Sequence, residues 1–250
     1  MQPIKVYNGR HGTGPNPWKV ILVLAELDLP YQIEWIDYSE SKEEPYVLLN
    51  PNGRLPAMVD PNKGVTLFES GAIINYIVDV YDKNCKLTYG DDRLAEKYQV
   101  QSWLMLQMSG QGPMFGQMVW FTYFHVEENL TTPLQRYTTE TKRICSVIDN
   151  ALRRRRAELN LSKEEAVWLV GEHYTYADLS FVMWNRILMN QSTPEDGNWE
   201  GEMPEFYKWH KNLISLPAVN KVLELQAECI RTMKDSANEV RNRQADARKI

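Results

Sequence analysis

Two short stretches constrain this 250-residue chain more than any other: Asn50-Pro51-Asn52-Gly53-Arg54-Leu55-Pro56-Ala57 and Phe68-Glu69-Ser70-Gly71-Ala72-Ile73. In the first, two prolines bracket a turn that leads into the apolar run Ala57-Met58-Val59. A proline at a strand start lacks a ladder donor, which suits an edge or exposed tip. The residue before it is held extended, so the N–H and C=O of Leu55 are left to pair with another peptide. In the second, a short strand from Val65 to Phe68 ends in Glu69-Ser70, and a helix follows from Ser70. The unpaired N–H groups of a helix start carry partial positive charge and suit a carboxylate. An extended backbone edge beside such a helix start fits a short peptide bearing both an α-carboxylate and an α-amine. Taken singly, Pro56 is an ordinary strand-start proline and Ser70 an ordinary N-cap. Together, fourteen residues apart, they fit the connection lengths of one small domain.

Composition excludes several classes. The chain is 43% hydrophobic and 24% charged, as a globular protein is and a disordered one is not. A net charge of −5 argues against a nucleic-acid surface. Cys85, Cys145 and Cys229 are odd in number and far apart, with no CxxC, so neither a disulfide frame nor a zinc site is implied. His11, His125, His173 and His210 have no metal-ligand spacing, and no metal is expected. No stretch approaches the roughly twenty apolar residues of a membrane span. The start Met1-Gln2-Pro3-Ile4-Lys5-Val6-Tyr7 lacks a signal-peptide core. A cytoplasmic, reducing compartment is expected, where the sequon Asn129-Leu130-Thr131 carries no meaning.

The first third alternates strands and helices. Ile4 to Tyr7 reads as a strand, followed by a loop with Gly9, Gly12 and Gly14 and a helix with Val20, Val23, Leu24 and Leu27 on one face. Asn16 reads as the N-cap of that helix, with Pro17 at its first position. Tyr31 to Asp37 is a second strand and Glu43 to Leu49 a short helix. Ala57 to Val59 and Thr66 to Phe68 form a hairpin about Asp60-Pro61-Asn62-Lys63-Gly64, and a helix to about Tyr81 closes the unit. From Leu94 the pattern is helical. Asp91-Asp92 reads as a cap, Gly110-Gln111-Gly112-Pro113 as an interruption, and Thr132 to Leu159 as one long helix. Thr175-Tyr176-Ala177-Asp178 has capping-box spacing, with Trp168, Leu169 and Val170 before it as a hydrophobic staple. The fold class is thus α/β plus all-α. A βαβαββα domain of thioredoxin type (1–86) precedes a helical bundle (92–235), with a linker near 84–90 and a polar, frayed tail (236–250).

Arg54-Leu55-Pro56-Ala57 with a downstream Glu69-Ser70-Gly71-Ala72-Ile73 resembles the glutathione site of cytosolic glutathione transferases. Further likeness lies in Gly14-Pro15-Asn16-Pro17-Trp18-Lys19-Val20, in Ser109-Gly110-Gln111-Gly112-Pro113-Met114-Phe115-Gly116-Gln117, in Tyr123-Phe124-His125, in Glu140 to Arg143 and in Trp168-Leu169-Val170-Gly171. These motifs are similar to one fungal and bacterial branch, typified by the glutathione-binding domain of the yeast nitrogen-regulator prion protein and by the bacterial nu-class transferases. The likeness covers roughly residues 4 to 225. It implies a cis Leu55–Pro56 bond, with Leu55 pairing to the cysteinyl part of glutathione and Glu69 and Ser70 holding the γ-glutamyl end. Asn16 would face the thiol as the catalytic residue. A thiolate at a helix start is stabilised by the dipole and by a neighbouring donor. Some members carry threonine two places before the asparagine; Gly14 stands there, and Thr13 one place further back. Lys42 is either a solvated lysine or the side chain that holds the glycine carboxylate, and Arg54 either a surface arginine or a ligand clamp.

The resemblance implies a homodimer through the helices from Trp103 to Phe121, and an enzyme joining glutathione to a hydrophobic electrophile or reducing a disulfide or peroxide with it. A glutathione-dependent isomerase in a fungal biosynthetic pathway and a non-catalytic glutathione-binding regulator are the alternatives. The Met and aromatic cluster from Met105 to Phe124 is either core or in part an adaptable pocket. The glycine-rich loop Gly9-Arg10-His11-Gly12-Thr13-Gly14 lacks nucleotide-binding spacing. Arg153-Arg154-Arg155-Arg156 reads as a solvated helix face sooner than a nuclear signal. No nucleic-acid or membrane partner is expected.

Overall fold

Alternating apolar residues in the first strand set the architecture. Ile4 and Val6 of β1 (Ile4–Gly9) are fully buried, and the strand lies inside a four-stranded sheet ordered β2-β1-β3-β4. β2 (Tyr31–Ile36) runs parallel to β1, whereas β3 (Ala57–Asp60) pairs antiparallel with both β1 and β4 (Val65–Phe68). The parallel pair needs a crossover, which α1 (Pro15–Glu26) supplies. α2 (Ser70–Tyr81) follows β4. The computed structural model describes residues 1–127, 130–191 and 198–247; Asn129 of the sequon lies outside them.

The chain divides into two compact units that follow packing rather than chain order: Met1–Ile73 with Pro217–Ile250, and Ile74–Leu216. The final helix α9 (Pro217–Ala247) is therefore grouped with the sheet. It packs against α1, which explains why every residue from Pro17 to Leu24 is buried instead of one stripe. A fully buried Leu, Ile or Val contributes about 1.5–3 kcal/mol, so this helix is a major anchor of the first unit. α9 also remains helical through the polar residues to Ala247. That stretch is rich in helix formers such as Ala, Glu, Arg and Gln.

One further local expectation in the first unit changes. In place of a helix over Glu43–Leu49 the chain makes 3₁₀ turns at Glu40–Lys42 and Tyr46–Leu48, divided by a cis Glu44–Pro45 bond. Proline lacks the N–H for a continuous helix.

All regular secondary structure among the described residues of the second unit is helical. Asp91–Arg93 forms a 3₁₀ turn ahead of α3 (Leu94–Leu106), with Arg93 rather than Asp91 or Asp92 at the N-cap. The expected break at Gly110–Pro113 is a π turn, Gln107–Gln111, leading directly into α4 (Gly112–Tyr123). Pro113 has no N–H for an α-helical bond, and the wider turn absorbs the mismatch. α5 (Thr131–Glu158), α6 (Tyr176–Gln191), α7 (Trp199–Glu202) and α8 (Pro204–Ile214) complete the unit. α6 is its central helix, buried at every position from Tyr176 to Asn185. Asp149 of α5 accepts from the N–H groups of Glu205 (2.9 Å) and Phe206 (3.1 Å), placing a carboxylate at the start of α8.

The arginine run is a solvated face only at Arg153 and Arg154, which are exposed. Arg155 donates to the carbonyls of Trp168 (2.9 Å) and Gly171 (2.8 Å), and buried Arg156 pairs with Glu205 at 2.9 Å. Two of the four arginines tie loops to α5 because guanidinium offers several donors in one plane. Among the described residues no helix is long and apolar enough to cross a membrane.

Candidate functional site

Sheet register brings the two motifs to one edge. Ala57 faces Phe68 across the β3–β4 hairpin, so the residues before Ala57 and after Phe68 leave the sheet at the same end. Val6 faces Met58 in the antiparallel β1–β3 pair, so β1 ends there too. The contact is close: a methyl added to Gly9 would lie 3.4 Å from Leu55 Cδ1 and 3.3 Å from the Tyr38 ring. Leu55-Pro56, Glu69-Ser70 and the loop from β1 into α1 thus share one edge of the first unit.

That loop is held from several sides. Gly12 sits at φ +64, a conformation that favours glycine, and its carbonyl accepts from Trp18 Nε1 (2.7 Å) and Gln226 Nε2 (3.2 Å). The N-cap of α1 is Gly14, with Pro15 and Asn16 following inside the helix. Asn16 is therefore not the cap. A proline at position 15 takes the first helical place at no hydrogen-bond cost, which moves the start two residues toward the N-terminus. Asn16 is half-buried and lies between two prolines that have no N–H. Its own N–H and side-chain amide are consequently prominent donors of the first turn.

The turn before Pro56 is built from hydrogen bonds to successive carbonyls. Ser41 Oγ (3.2 Å) and the Lys42 ammonium both donate to the Gly53 carbonyl. Tyr46 Oη (2.7 Å) and Asn50 Nδ2 (2.6 Å) both donate to the Arg54 carbonyl, and Asn50 Nδ2 also reaches that of Pro56 at 3.4 Å. The Leu55–Pro56 bond is cis. Among the described residues nothing bonds to the N–H or C=O of Leu55. Arg54 is exposed.

At the other motif, Glu69 is exposed and adopts φ +66, directly before the start of α2 at Ser70, which is buried. An isolated non-glycine residue in that region is uncommon and marks a turn under constraint. Lys19 of α1, 1% exposed, interacts electrostatically with Glu69; burial pushes its ammonium down to about 7, and the Glu69 charge offsets part of that. Buried cations persist only when compensated, and the Glu69 charge supplies part of that compensation.

Thr175 and Asp178 belong to the other unit and act on its packing. Asp178 accepts from the N–H groups of Leu169 (3.0 Å) and Thr175 (2.8 Å), from Thr175 Oγ1 (2.9 Å) and from Trp209 Nε1 (2.8 Å). Burial raises its carboxyl, and these donors act against that rise. Among the described residues no group of His, Cys, Asp or Glu could hold a metal ion.

Sequence reasoning passed over Lys19, Tyr46 and Asn50. Asn50 stands inside the diagnostic stretch, and an asparagine before Pro-Asn-Gly is a signal for side-chain to backbone bonding in a turn. Tyr46 and Lys19 offer no such signal, since their burial depends on what packs over them.

The glutathione S-transferase N-terminal domain model matches residues 13–80 and the C-terminal domain model residues 112–217. The chain is 40% identical over 227 residues to the glutathione S-transferase-like protein OpS6 of Beauveria bassiana, covering 91% of this chain and 97% of that one. The glutathione transferase URE2P6 of Phanerochaete chrysosporium, solved with oxidized glutathione, superposes with a TM-score of 0.80 at 37% identity, covering 91% and 98%. The nitrogen regulation fragment of the yeast prion protein Ure2p superposes equally well, with a TM-score of 0.80 at 36% identity over 90% and 98%. A thioredoxin-like sheet domain, an all-helical domain and likeness along nine-tenths of the chain establish that this protein belongs to the glutathione S-transferase family.

Proposed function

We propose that this chain is a glutathione-dependent enzyme that holds glutathione along the sheet edge and activates its thiol. The observation that carries the reading is Leu55. Its N–H and C=O have no partner among the described residues, beside a helix start that bears Glu69 and Ser70. Buried backbone polar groups are almost always paired; Leu55 is half-buried, and an extended peptide supplies the pairing here in the manner of an added strand. The cysteinyl N–H donates to the Leu55 carbonyl, and the cysteinyl carbonyl accepts from the Leu55 N–H. The γ-glutamyl carboxylate meets the N-terminus of α2, and Glu69 meets the α-ammonium. Lys42 and Arg54 flank the glycine end, where either cation can meet its carboxylate.

The sulfur then lies at the start of α1. Its proton leaves to solvent, and the thiolate is stabilised by the helix dipole and by the Asn16 amide, which donates without competing as a nucleophile. The thiolate attacks an electrophilic carbon, forming a C–S bond as the leaving group departs, or attacks a disulfide sulfur and expels the other thiolate. URE2P6 holding oxidized glutathione favours testing the disulfide branch first. Calorimetry with glutathione, followed by turnover with electrophiles, disulfides and hydroperoxides, tests the reading. Sub-millimolar binding with turnover of one class supports it, and no binding at physiological glutathione refutes it.

A regulator that binds glutathione without turnover is the second reading, favoured by the likeness to the nitrogen regulation fragment of Ure2p. Binding with no turnover across the panel selects it. The protein acts as a cytoplasmic homodimer in either case. Leu94, Tyr98 and Met105 of α3 lie on one face and are about half exposed, and Trp120 of α4 is 51% exposed. Such an apolar surface suits an isologous interface through these helices. Light scattering at micromolar concentration checks it, and a monomer refutes it.

A further inference from the structure

Four consecutive residues before β3 are treated unequally by their surroundings. The carbonyls of Gly53, Arg54 and Pro56 each receive at least one side-chain donor, and that of Leu55 receives none among the described residues. The Arg54 carbonyl receives two, from residues that are themselves almost wholly buried: Tyr46 is 3% exposed and Asn50 2%. Asn50 is fixed further by accepting at Oδ1 from the Asn52 N–H at 3.0 Å, and its carbonyl accepts from the Gly53 N–H at 2.9 Å. The Tyr46 ring meets Tyr7 edge-on with centroids 5.5 Å apart. Neither donor can swing away without breaking other contacts.

The geometry follows from the planarity of the peptide group. The Arg54 C=O and the Leu55 N–H belong to one rigid trans plane and point in opposite directions. Two buried donors on that carbonyl therefore aim the Leu55 N–H away from the protein interior. On the far side, proline fixes φ at position 56, and Asn50 Nδ2 holds the Pro56 carbonyl. The Leu55 C=O lies between two held groups.

We propose that Tyr46 and Asn50 are positioning residues that present the N–H and C=O of Leu55 to the peptide backbone of the bound thiol. The inference rests on the glutathione reading above and deepens it, because recognition of the cysteinyl amide then depends on two side chains that never touch the ligand. Both are suited to the task. Burial pushes the Tyr46 hydroxyl up to about 12, so it remains a protonated donor through the neutral range. The Asn50 amide does not titrate. A mobile Leu55 would have to be ordered on each binding event, and prior fixing removes that cost.

The test must separate presentation of Leu55 from ordinary loop stability. Tyr46→Phe removes one hydroxyl and preserves the ring, and Asn50→Ala removes the amide. Binding of glutathione is measured by calorimetry beside that of its ester analogue, in which oxygen replaces the cysteinyl N–H, so that no donor faces the Leu55 carbonyl. The wild type should prefer glutathione about tenfold, as for one lost hydrogen bond with an acceptor left unpaired. Tyr46→Phe should weaken glutathione binding about three- to tenfold and shrink the preference to about twofold, because a loosened Leu55 gains less from the donor. Asn50→Ala should do the same more strongly. If Asn50→Ala does not fold, Tyr46→Phe decides alone. An undiminished preference in folded Tyr46→Phe overturns the inference, whatever happens to its melting temperature. Equal binding of the two ligands by the wild type also overturns it, while leaving glutathione binding intact. No binding of glutathione by the wild type removes the underlying reading of the site, and the inference with it.

Discussion

Replacing Lys19 by Met should make the protein more stable at neutral pH, and the gain should shrink as pH rises. The lysine is fully buried, which lowers its ammonium to about 7 in the folded protein; in an unfolded chain it titrates near 10.4. Between those values the unfolded chain binds more protons than the folded one, so folding stability rises with pH across that window. The full separation, about three units at about 1.4 kcal/mol each, corresponds to a cost on the order of 4 kcal/mol at pH 7. Roughly half of it disappears by pH 9, because the unfolded chain is then only about 1.4 units below its own pKa. The methionine side chain has similar length and no charge, so it keeps the packing and removes the slope. Urea denaturation of both proteins at pH 7, 8 and 9, at one protein concentration, measures the difference while other titrations cancel. The stability difference should fall by about 2 kcal/mol between pH 7 and 9. Parallel pH profiles would show that Lys19 keeps an ordinary ammonium, and the lowering by burial would have to be abandoned. Glu69→Gln gives an independent check. Removing the Glu69 charge, which raises the Lys19 value, should steepen the wild-type slope.

Asn16→Ala should lower turnover about ten- to a hundredfold near neutral pH with little change in glutathione affinity, the loss expected for one hydrogen bond to a charged sulfur. Asn16→Asp should be at least as inactive, because its carboxylate repels the thiolate; full thiol-transfer activity in Asn16→Asp would leave Asn16 without a catalytic role. Burial pushes the His210 imidazole down to about 3, so between pH 3 and about 6.5 the unfolded chain binds the extra proton and stability falls on acidification; His210→Phe should flatten that acid limb in denaturation profiles, and an unchanged limb would exclude His210 as its source. Asp178→Ala should cost about 3–5 kcal/mol by chemical denaturation, since it leaves four donors around Leu169, Thr175 and Trp209 unpaired in a buried place; a loss under 1 kcal/mol would mean that water replaces the carboxylate.

The parts of this fold that could be read from the sequence are those encoded over a few neighbouring residues. The hairpin before α2 announces itself through Asp60-Pro61-Asn62-Lys63-Gly64 between two β-prone runs, and the structure places β3 and β4 around that turn. The helical character beyond Leu94 follows from periodicity over long windows. What escaped reading depends on partners far away in the chain. Lys19 looks like one solvated lysine beside Trp18, and its burial comes from packing around α1 that the local sequence does not display. Arg155 and Arg156 look like half of a charged run, and only the return of Trp168, Gly171 and Glu205 turns them into ties. The start of α1 was misjudged for a local reason, since either Pro15 or Pro17 could hold the first helical position and the spacing does not choose between them.

The candidate site divides along the same line, and the division bears on its chemistry. Leu55 contributes backbone groups, and so does the start of α2. Backbone groups are placed by prolines, glycines and turn lengths, which a sequence displays openly. The choice of reaction rests instead on whatever apolar side chains receive the second substrate, and no turn signal or charge pattern marks those. A thiol delivered at the start of α1 meets any electrophile that can be held there, so the edge accounts for glutathione and leaves its acceptor open. Changing Asn16 or Glu69 should therefore alter every glutathione-dependent activity of the protein in parallel. A substitution that separates one activity from another must lie outside this edge.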